Sequence, residues 1–492
     1  MTILETPETV RSYIHGEYVA STANQVFENI NPATGKLICH VETAGQPEVD
    51  KAVASAEDGQ RVWQTMSPQA RSLTLQRAAQ LLRQGNTALA ELEVADTGKP
   101  ISEAISVDIL SGAEALDYYA QLAIGLDGEH RSGAGHFSYT KNVPLGVCAA
   151  IGAWNYPLQI ACWKAAPALA AGNALIFKPS ELSPSTAPKL AEILIEAGLP
   201  PGVFNVVQGK KETGALLAEN EKIQKISLTG SVATGKKVLA SSAASLKQAT
   251  MELGGKSPII VFADAAMDEA VSGVMLGNFY TQGEVCSNGT RVYVEKTVYK
   301  EFLSKLTERT QRLEVGDPMK ASTQVGALIS RSHAEKVRRY IEQGKEEGAQ
   351  LILGGDDPQV TGRCAEGFFV NPTIFADCGD QMTISREEIF GPVVCVLSFE
   401  TEDEAVARAN NSPFGLASGV FTKDLKKAHR VADQIETGVC WVNNYNVTPT
   451  GMPFGGFKQS GIGRENGPST LKSYTQEKTV YVELDKIDCP YQ

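Results

Sequence analysis

Pro144-Leu145-Gly146-Val147-Cys148-Ala149-Ala150-Ile151-Gly152-Ala153-Trp154-Asn155-Tyr156-Pro157 decides the fold of this chain. The stretch from 144 to 163 carries no charge over 20 residues, enough on paper to span a bilayer. Gly146, Gly152 and the Asn155-Tyr156-Pro157 turn interrupt it, and Lys164 ends it. Such breakers suit a buried strand that turns into a helix, not a membrane span. Working outward, short apolar strands are expected at 146–153, 174–177, 204–207 and 225–228, alternating with helices at 158–171 and 186–197. That alternation predicts an α/β fold with a doubly wound parallel sheet. A second alternating block starts at Pro258-Ile259-Ile260-Val261-Phe262 and runs through 393–399 to Trp441-Val442, with helices at 265–278, 297–313 and 332–347. The N-terminal third reads as mainly helical, through 54–63, 73–82 and 88–94. Two such blocks imply two domains with a crevice between them. Residues 473–484 alternate polar and apolar, which predicts an exposed strand suited to pairing with another subunit.

The composition excludes several function classes. At 492 residues the chain is too long for one core. A formal net charge of −12 argues against nucleic acid or anionic membrane as a partner. Met1-Thr2-Ile3-Leu4-Glu5-Thr6 has neither a basic nor an apolar leader segment, so no signal peptide is expected. The nine cysteines are odd in number and never spaced C-x-x-C, which points away from a disulfide framework or a zinc site and towards a reducing, cytoplasmic setting with no bound metal.

Two segments carry covalent chemistry. Met251-Glu252-Leu253-Gly254-Gly255-Lys256 places one carboxylate before a Gly-Gly, and Gln282-Gly283-Glu284-Val285-Cys286-Ser287 places one thiol in a polar, glycine-flanked stretch. A nucleophile and a base on separate loops suffice for catalysis through a thioester, although a buried structural cysteine is the commoner use of a thiol. Thr229-Gly230-Ser231 follows the strand at 225–228 and opens a helix, a geometry that aims free N–H groups at a phosphate. Gly230 to Lys236 fits G-x-x-x-x-G-K, but Lys237 stands where a P-loop needs a magnesium-binding hydroxyl. An ordinary βα turn is the other reading. Lys178-Pro179-Ser180-Glu181 follows another strand, at the edge where nucleotide riboses bind. A carboxylate there would hold ribose hydroxyls and repel a 2′-phosphate, favouring NAD over a weaker NADP; a solvated surface ion pair is the alternative.

Together these pieces resemble the aldehyde dehydrogenase superfamily over nearly the whole chain. The resemblance runs through Asn31-Pro32-Ala33-Thr34-Gly35, Trp154-Asn155-Tyr156-Pro157, Phe177-Lys178-Pro179-Ser180-Glu181, Glu252-Leu253-Gly254-Gly255-Lys256 and Gln282-Gly283-Glu284-Val285-Cys286. It continues in Glu387-Glu388-Ile389-Phe390-Gly391-Pro392, Pro453-Phe454-Gly455-Gly456 and Ser460-Gly461-Ile462-Gly463-Arg464-Glu465. It implies two doubly wound parallel-sheet domains with a small β oligomerisation arm. The NAD-binding domain would take 1–124 and 143–249, the catalytic domain 250–459, and the arm 125–142 and 460–492. It implies that Cys286 attacks the aldehyde, that Asn155 and the Cys286 N–H form an oxyanion hole, and that Glu252 activates water to hydrolyse the thioester. Lys164 and Glu465 resemble a proton path beside Glu252. Lys178 and Glu181 resemble an adenosine-ribose clamp, Gly230 and Ser231 a pyrophosphate contact, and Glu388 and Phe390 the holders of the nicotinamide ribose and ring. A dimeric or tetrameric homo-oligomer is also implied.

Tyr156 and Trp163 are seven residues apart, which puts them within about 20° of one helix face. With Tyr280 and Phe454 they could form an aromatic box for a trimethylammonium head, or a plain apolar tunnel. Val285-Cys286-Ser287-Asn288-Gly289-Thr290-Arg291 and Asn443-Asn444-Tyr445-Asn446-Val447 resemble the branch acting on betaine aldehyde and 4-trimethylaminobutyraldehyde. Gly451 departs from that branch, which commonly has an acidic residue there to attract cations. An ω-aminoaldehyde or a broad range of aldehydes are the other expected substrates, and an inactive binding relative the rival of another class.

Overall fold

The computed structural model describes residues 7–491. The leader reading rests on residues 1–6, which with residue 492 lie outside the described residues, as do those ends of the expected domains.

Two large sheets dominate. The first has eight strands in the order Gly461–Ile462, Gln248–Glu252, Lys225–Thr229, Val147–Ile151, Ala174–Lys178, Phe204–Val206, Ser12–Ile14 and Glu17–Val19. The five from Gln248–Glu252 to Phe204–Val206 are parallel, and the outer strands join antiparallel. Every residue of Val147–Ile151 is buried. The helix that follows, Pro157–Ala170, starts with proline at its first position, where no N–H bond is lost. It is apolar nearly all round, as a helix sandwiched inside a fold must be.

From Val147–Ile151 the chain winds one way to Ala174–Lys178 and Phe204–Val206. It then returns to lay Lys225–Thr229 on the other side. The switch point therefore lies between Val147–Ile151 and Lys225–Thr229, and ligands of such sheets bind outside the carboxyl ends there.

The second sheet has seven strands: Gln350–Leu353, Thr373–Ala376, Val393–Phe399, Arg291–Glu295, Pro258–Val261, Ala417–Phe421 and Val439–Val442. All but the first run parallel. A third sheet joins Thr475–Glu483 to His136–Pro144 in antiparallel register, with His130–Gly133 beyond. The expected exposed strand at 473–484 is this one.

Three features differ from the sequence reading. Gln248–Glu252 is the last parallel strand of the first sheet, so the expected boundary at residue 250 falls inside a strand. Residues 461–462 also join that sheet rather than the arm. Ahead of the first long helix, Gln46–Trp63, five short strands occupy residues 9–42. With two to six residues each, they carry too few alternations to stand out against the helical periods that follow. Among the described residues no helix is long and apolar enough to cross a membrane, and no cluster of three His, Cys, Asp or Glu could hold a metal.

Candidate active site

The carboxyl ends of the first sheet face the amino ends of the second. Ile151, Lys178, Thr229 and Glu252 close four neighbouring parallel strands. Cys286 and Glu388 each lie just before a strand of the second sheet. A crevice between them is lined by Trp154, Gly230, Ser231, Glu252, Cys286 and Glu388, among others.

On one side the residues suit an anion and a ring. Ser231 caps the 12-residue helix Val232–Ala243, its hydroxyl accepting the Thr234 N–H at 3.2 Å. The remaining N–H groups of that first turn are free for a phosphate. Glu388 accepts the Gly255 N–H at 3.0 Å, and burial raises its carboxyl pKa. A side chain at Gly254 would run into that carboxylate and push it aside. Phe390 holds φ +63°; its carbonyl accepts His333 Nε2 at 2.7 Å and its ring stands edge-on to Trp154 at 5.1 Å. Lys178 is buried and donates to the Pro179 carbonyl at 2.8 Å, with the half-exposed Glu181 carboxylate at 3.9 Å. Burial lowers the Lys178 ammonium to about 8. Lys178 and Glu181 lie off the cavity, beyond Ile151 along the sheet edge. His333 and Lys336 line it without having been foreseen, because a helix with an ordinary polar face gives no sign of which polar residues meet a cavity.

The loop bearing Cys286 is backbone under constraint. Thr281 and Gln282 hold φ of +49° and +43°, and Gly283 follows at +79°. Glu284 is buried within the turn, taking the Ile329 N–H at 3.0 Å and Gln282 Nε2 at 2.9 Å. Burial pushes its carboxyl up to about 8. Its carbonyl accepts Asn155 Nδ2 at 2.9 Å, which fixes the amide and leaves a second N–H of Asn155 free in the crevice. Burial first, then the charges of Glu252 and Glu388, push the Cys286 thiol up to about 12. At neutral pH the resting group is a thiol.

Glu252 ends its strand buried, and neither carboxyl oxygen has a hydrogen-bond partner. Burial and the charge of Glu465 raise it well above the ordinary carboxylate range, against a pull from Lys164 and Arg464. Behind it Lys164 donates to Glu465 Oε1 at 2.6 Å and to the Ser227 hydroxyl at 2.9 Å, and Ser227 in turn donates to Glu465 at 3.1 Å. The pairing of Gly461–Ile462 with Met251 and Glu252 brings Glu465 there.

On the far side of Cys286 lies a second cavity of about 310 Å³, also bounded by Asn155, Glu252 and Glu465. Tyr156, Trp163, Tyr280 and Phe454 all line it. Trp163 stands edge-on to Phe454 at 6.0 Å. Ile160 and Tyr445 line it too. Ile160 precedes Trp163 by three residues on the helix, and Tyr156 stands just ahead of its first turn with extended φ of −136°, a spacing that could have supplied the signal. Gly451 holds φ +94°, a backbone that favours glycine, and is outside the lining.

Residues 18–480 match the aldehyde dehydrogenase family. The chain is 56% identical to the betaine aldehyde dehydrogenase of Vibrio vulnificus over 486 residues, 98% of this chain and 100% of that one. It is 55% identical to the betaine aldehyde dehydrogenase of Sinorhizobium fredii over 480 residues, covering 97% and 98%. The NAD+ complex of an aldehyde dehydrogenase from Bacillus cereus superposes with a TM-score of 0.94 at 39% identity, covering 97% of each chain.

Proposed function

The chain belongs to the aldehyde dehydrogenase family, and from that premise we propose that it oxidises betaine aldehyde to glycine betaine with NAD, through a thioester on Cys286. One observation carries the reading. Cys286 stands in the wall shared by two cavities, one opening on a helix N-terminus and Glu388, the other lined by five aromatic rings.

The residues fit the cofactor. The free first turn of Val232–Ala243 suits its pyrophosphate, and Glu388 and Phe390 suit its nicotinamide ribose and ring. Lys178 and Glu181 suit the adenosine ribose, and the Glu181 carboxylate disfavours the 2′-phosphate of NADP. NAD supplies the hydride acceptor when bound.

The remaining chemistry belongs to the chain. The Cys286 thiol gives its proton to the Glu252 carboxylate and its sulfur attacks the aldehyde carbon, while Asn155 Nδ2 and the Cys286 N–H receive the oxyanion, a donor being worth about 3 kcal/mol. After oxidation of the thiohemiacetal to a thioester, Glu252 takes a proton from water, which attacks the acyl carbon and releases Cys286 and the acid. Glu252 has no partner to hold its proton, and Lys164–Glu465 offers the route away.

Betaine aldehyde is favoured because five rings bound the cavity that receives it, an arrangement suited to a trimethylammonium head. We assign the cofactor domain to the first sheet and the catalytic domain to the second. The arm strand Thr475–Glu483, which is paired along one side with His136–Pro144, suits a homo-oligomer, a dimer or tetramer. Nine free thiols suit the reducing cytoplasm. Cys286→Ser should abolish NADH formation and leave NAD binding intact; retained turnover would refute the assignment.

A further inference from the structure

Glu103 closes the short helix Ile101–Glu103, in the helical region that precedes the parallel strands of the first sheet. Its buried side chain crosses to the reactive loop, where Oε2 accepts the Thr281 backbone N–H at 3.0 Å and the Thr281 hydroxyl at 2.9 Å. Thr281 needs that support. A β-branched residue at φ +49° is held there only by its surroundings, and Gln282 follows at +43°. This turn aims the Glu284 carbonyl at Asn155 and delivers Cys286.

The same carboxyl reaches the substrate cavity. Thr281 Oγ1 lies 2.8 Å from the Tyr156 hydroxyl. Because Oε2 already accepts the Thr281 backbone N–H, it is the accepting oxygen of the carboxyl, so Thr281 donates to Glu103 and Tyr156 donates to Thr281. On the Tyr156 ring rests the Lys99 ammonium, 3.8 Å from its centroid and paired with Asp108, both fully buried. With one face taken by Lys99, the ring has a single face for a cationic substrate, so its tilt matters. The reaction described above uses none of Glu103, Lys99 and Asp108.

We propose that Glu103 is a positioning residue: through Thr281 it sets both the loop of Cys286 and the Tyr156 wall of the substrate cavity. The proposal rests on the assignment of Cys286 as nucleophile. It predicts two separable losses, one in thiol presentation and one in substrate binding.

The first readout needs no aldehyde: the rate at which iodoacetamide alkylates Cys286, followed by mass spectrometry of its peptide in the full-length protein. Glu103→Leu, which removes the acceptor, should slow that rate and kcat by about tenfold or more. Glu103→Gln, which keeps an acceptor oxygen, should stay within about threefold of the native protein. Thr281→Val keeps the β-branch and the N–H bond but cuts the link to Tyr156. It should raise KM for betaine aldehyde about fivefold or more, with kcat within about threefold. A folded Glu103→Leu protein alkylated within about twofold of the native rate overturns the proposal, as does an unchanged KM in Thr281→Val. Should Glu103→Leu fail to fold, Thr281→Val decides alone. Native protein that alkylates readily but oxidises no aldehyde would instead overturn the proposed reaction.

Discussion

Lys164 Nζ lies 2.6 Å from Glu465 Oε1 with both side chains buried, joining the helix that starts beside Asn155 to the segment that follows strand Gly461–Ile462. The pair acts on Glu252, and Glu465 also borders the substrate cavity. Lys164→Met would leave Glu465 buried without its cation. Unfolding by urea should show a loss of about 3–5 kcal/mol, while a loss under about 1 kcal/mol would mean that water reaches the site.

The buried carboxyls set a pH dependence of stability. Glu103 and Glu284 are raised from 4.5 to about 8, chiefly by burial. Below about pH 4.5 both folded and unfolded chains hold these protons. Between about 4.5 and 8 the unfolded chain has lost them and the folded chain has not, so this stabilisation drains away as pH rises through that window. Urea midpoints from pH 5 to 9 should therefore fall less steeply for Glu284→Gln than for the native protein; parallel slopes would rule the effect out.

Cofactor choice should move with one residue. Glu181→Ala removes the carboxylate beside Lys178, and the ratio of kcat/KM for NADP over NAD should rise roughly tenfold. An unchanged ratio would place the ribose elsewhere.

The aromatic wall can be tested with a matched pair of aldehydes. The native protein should prefer betaine aldehyde to the uncharged isostere 3,3-dimethylbutanal. Trp163→Ala should cut that preference by about 2–30-fold, the equivalent of ~0.5–2 kcal/mol for one ring. Equal kcat/KM for the two aldehydes in the native protein would refute recognition of the charge.

Much of this was legible in the sequence because it is local. The run from Gly146 to Pro157 shows its strand, turn and helix start directly, and four of the five cavity aromatics lie in motifs that can be read one at a time. What escaped depends on long-range pairing. Glu252 reads as part of the second block until its strand is seen paired with Lys225–Thr229, a parallel neighbour that no sequence period announces. His333 reaches the crevice from a helix whose polar face looks wholly solvated. Glu103 gives no sign at all, since its partner Thr281 is distant in sequence and is set by backbone strain rather than by pattern.

The central claim, a thioester on Cys286 that Glu252 hydrolyses, is tested most directly by rapid mixing of Glu252→Gln protein with NAD and betaine aldehyde. NADH should appear in a burst of about one equivalent per active site and then nearly stop, and the quenched, digested protein should carry the acyl group on the Cys286 peptide. Steady turnover without a burst, or an acyl group found anywhere but on Cys286, would contradict the account.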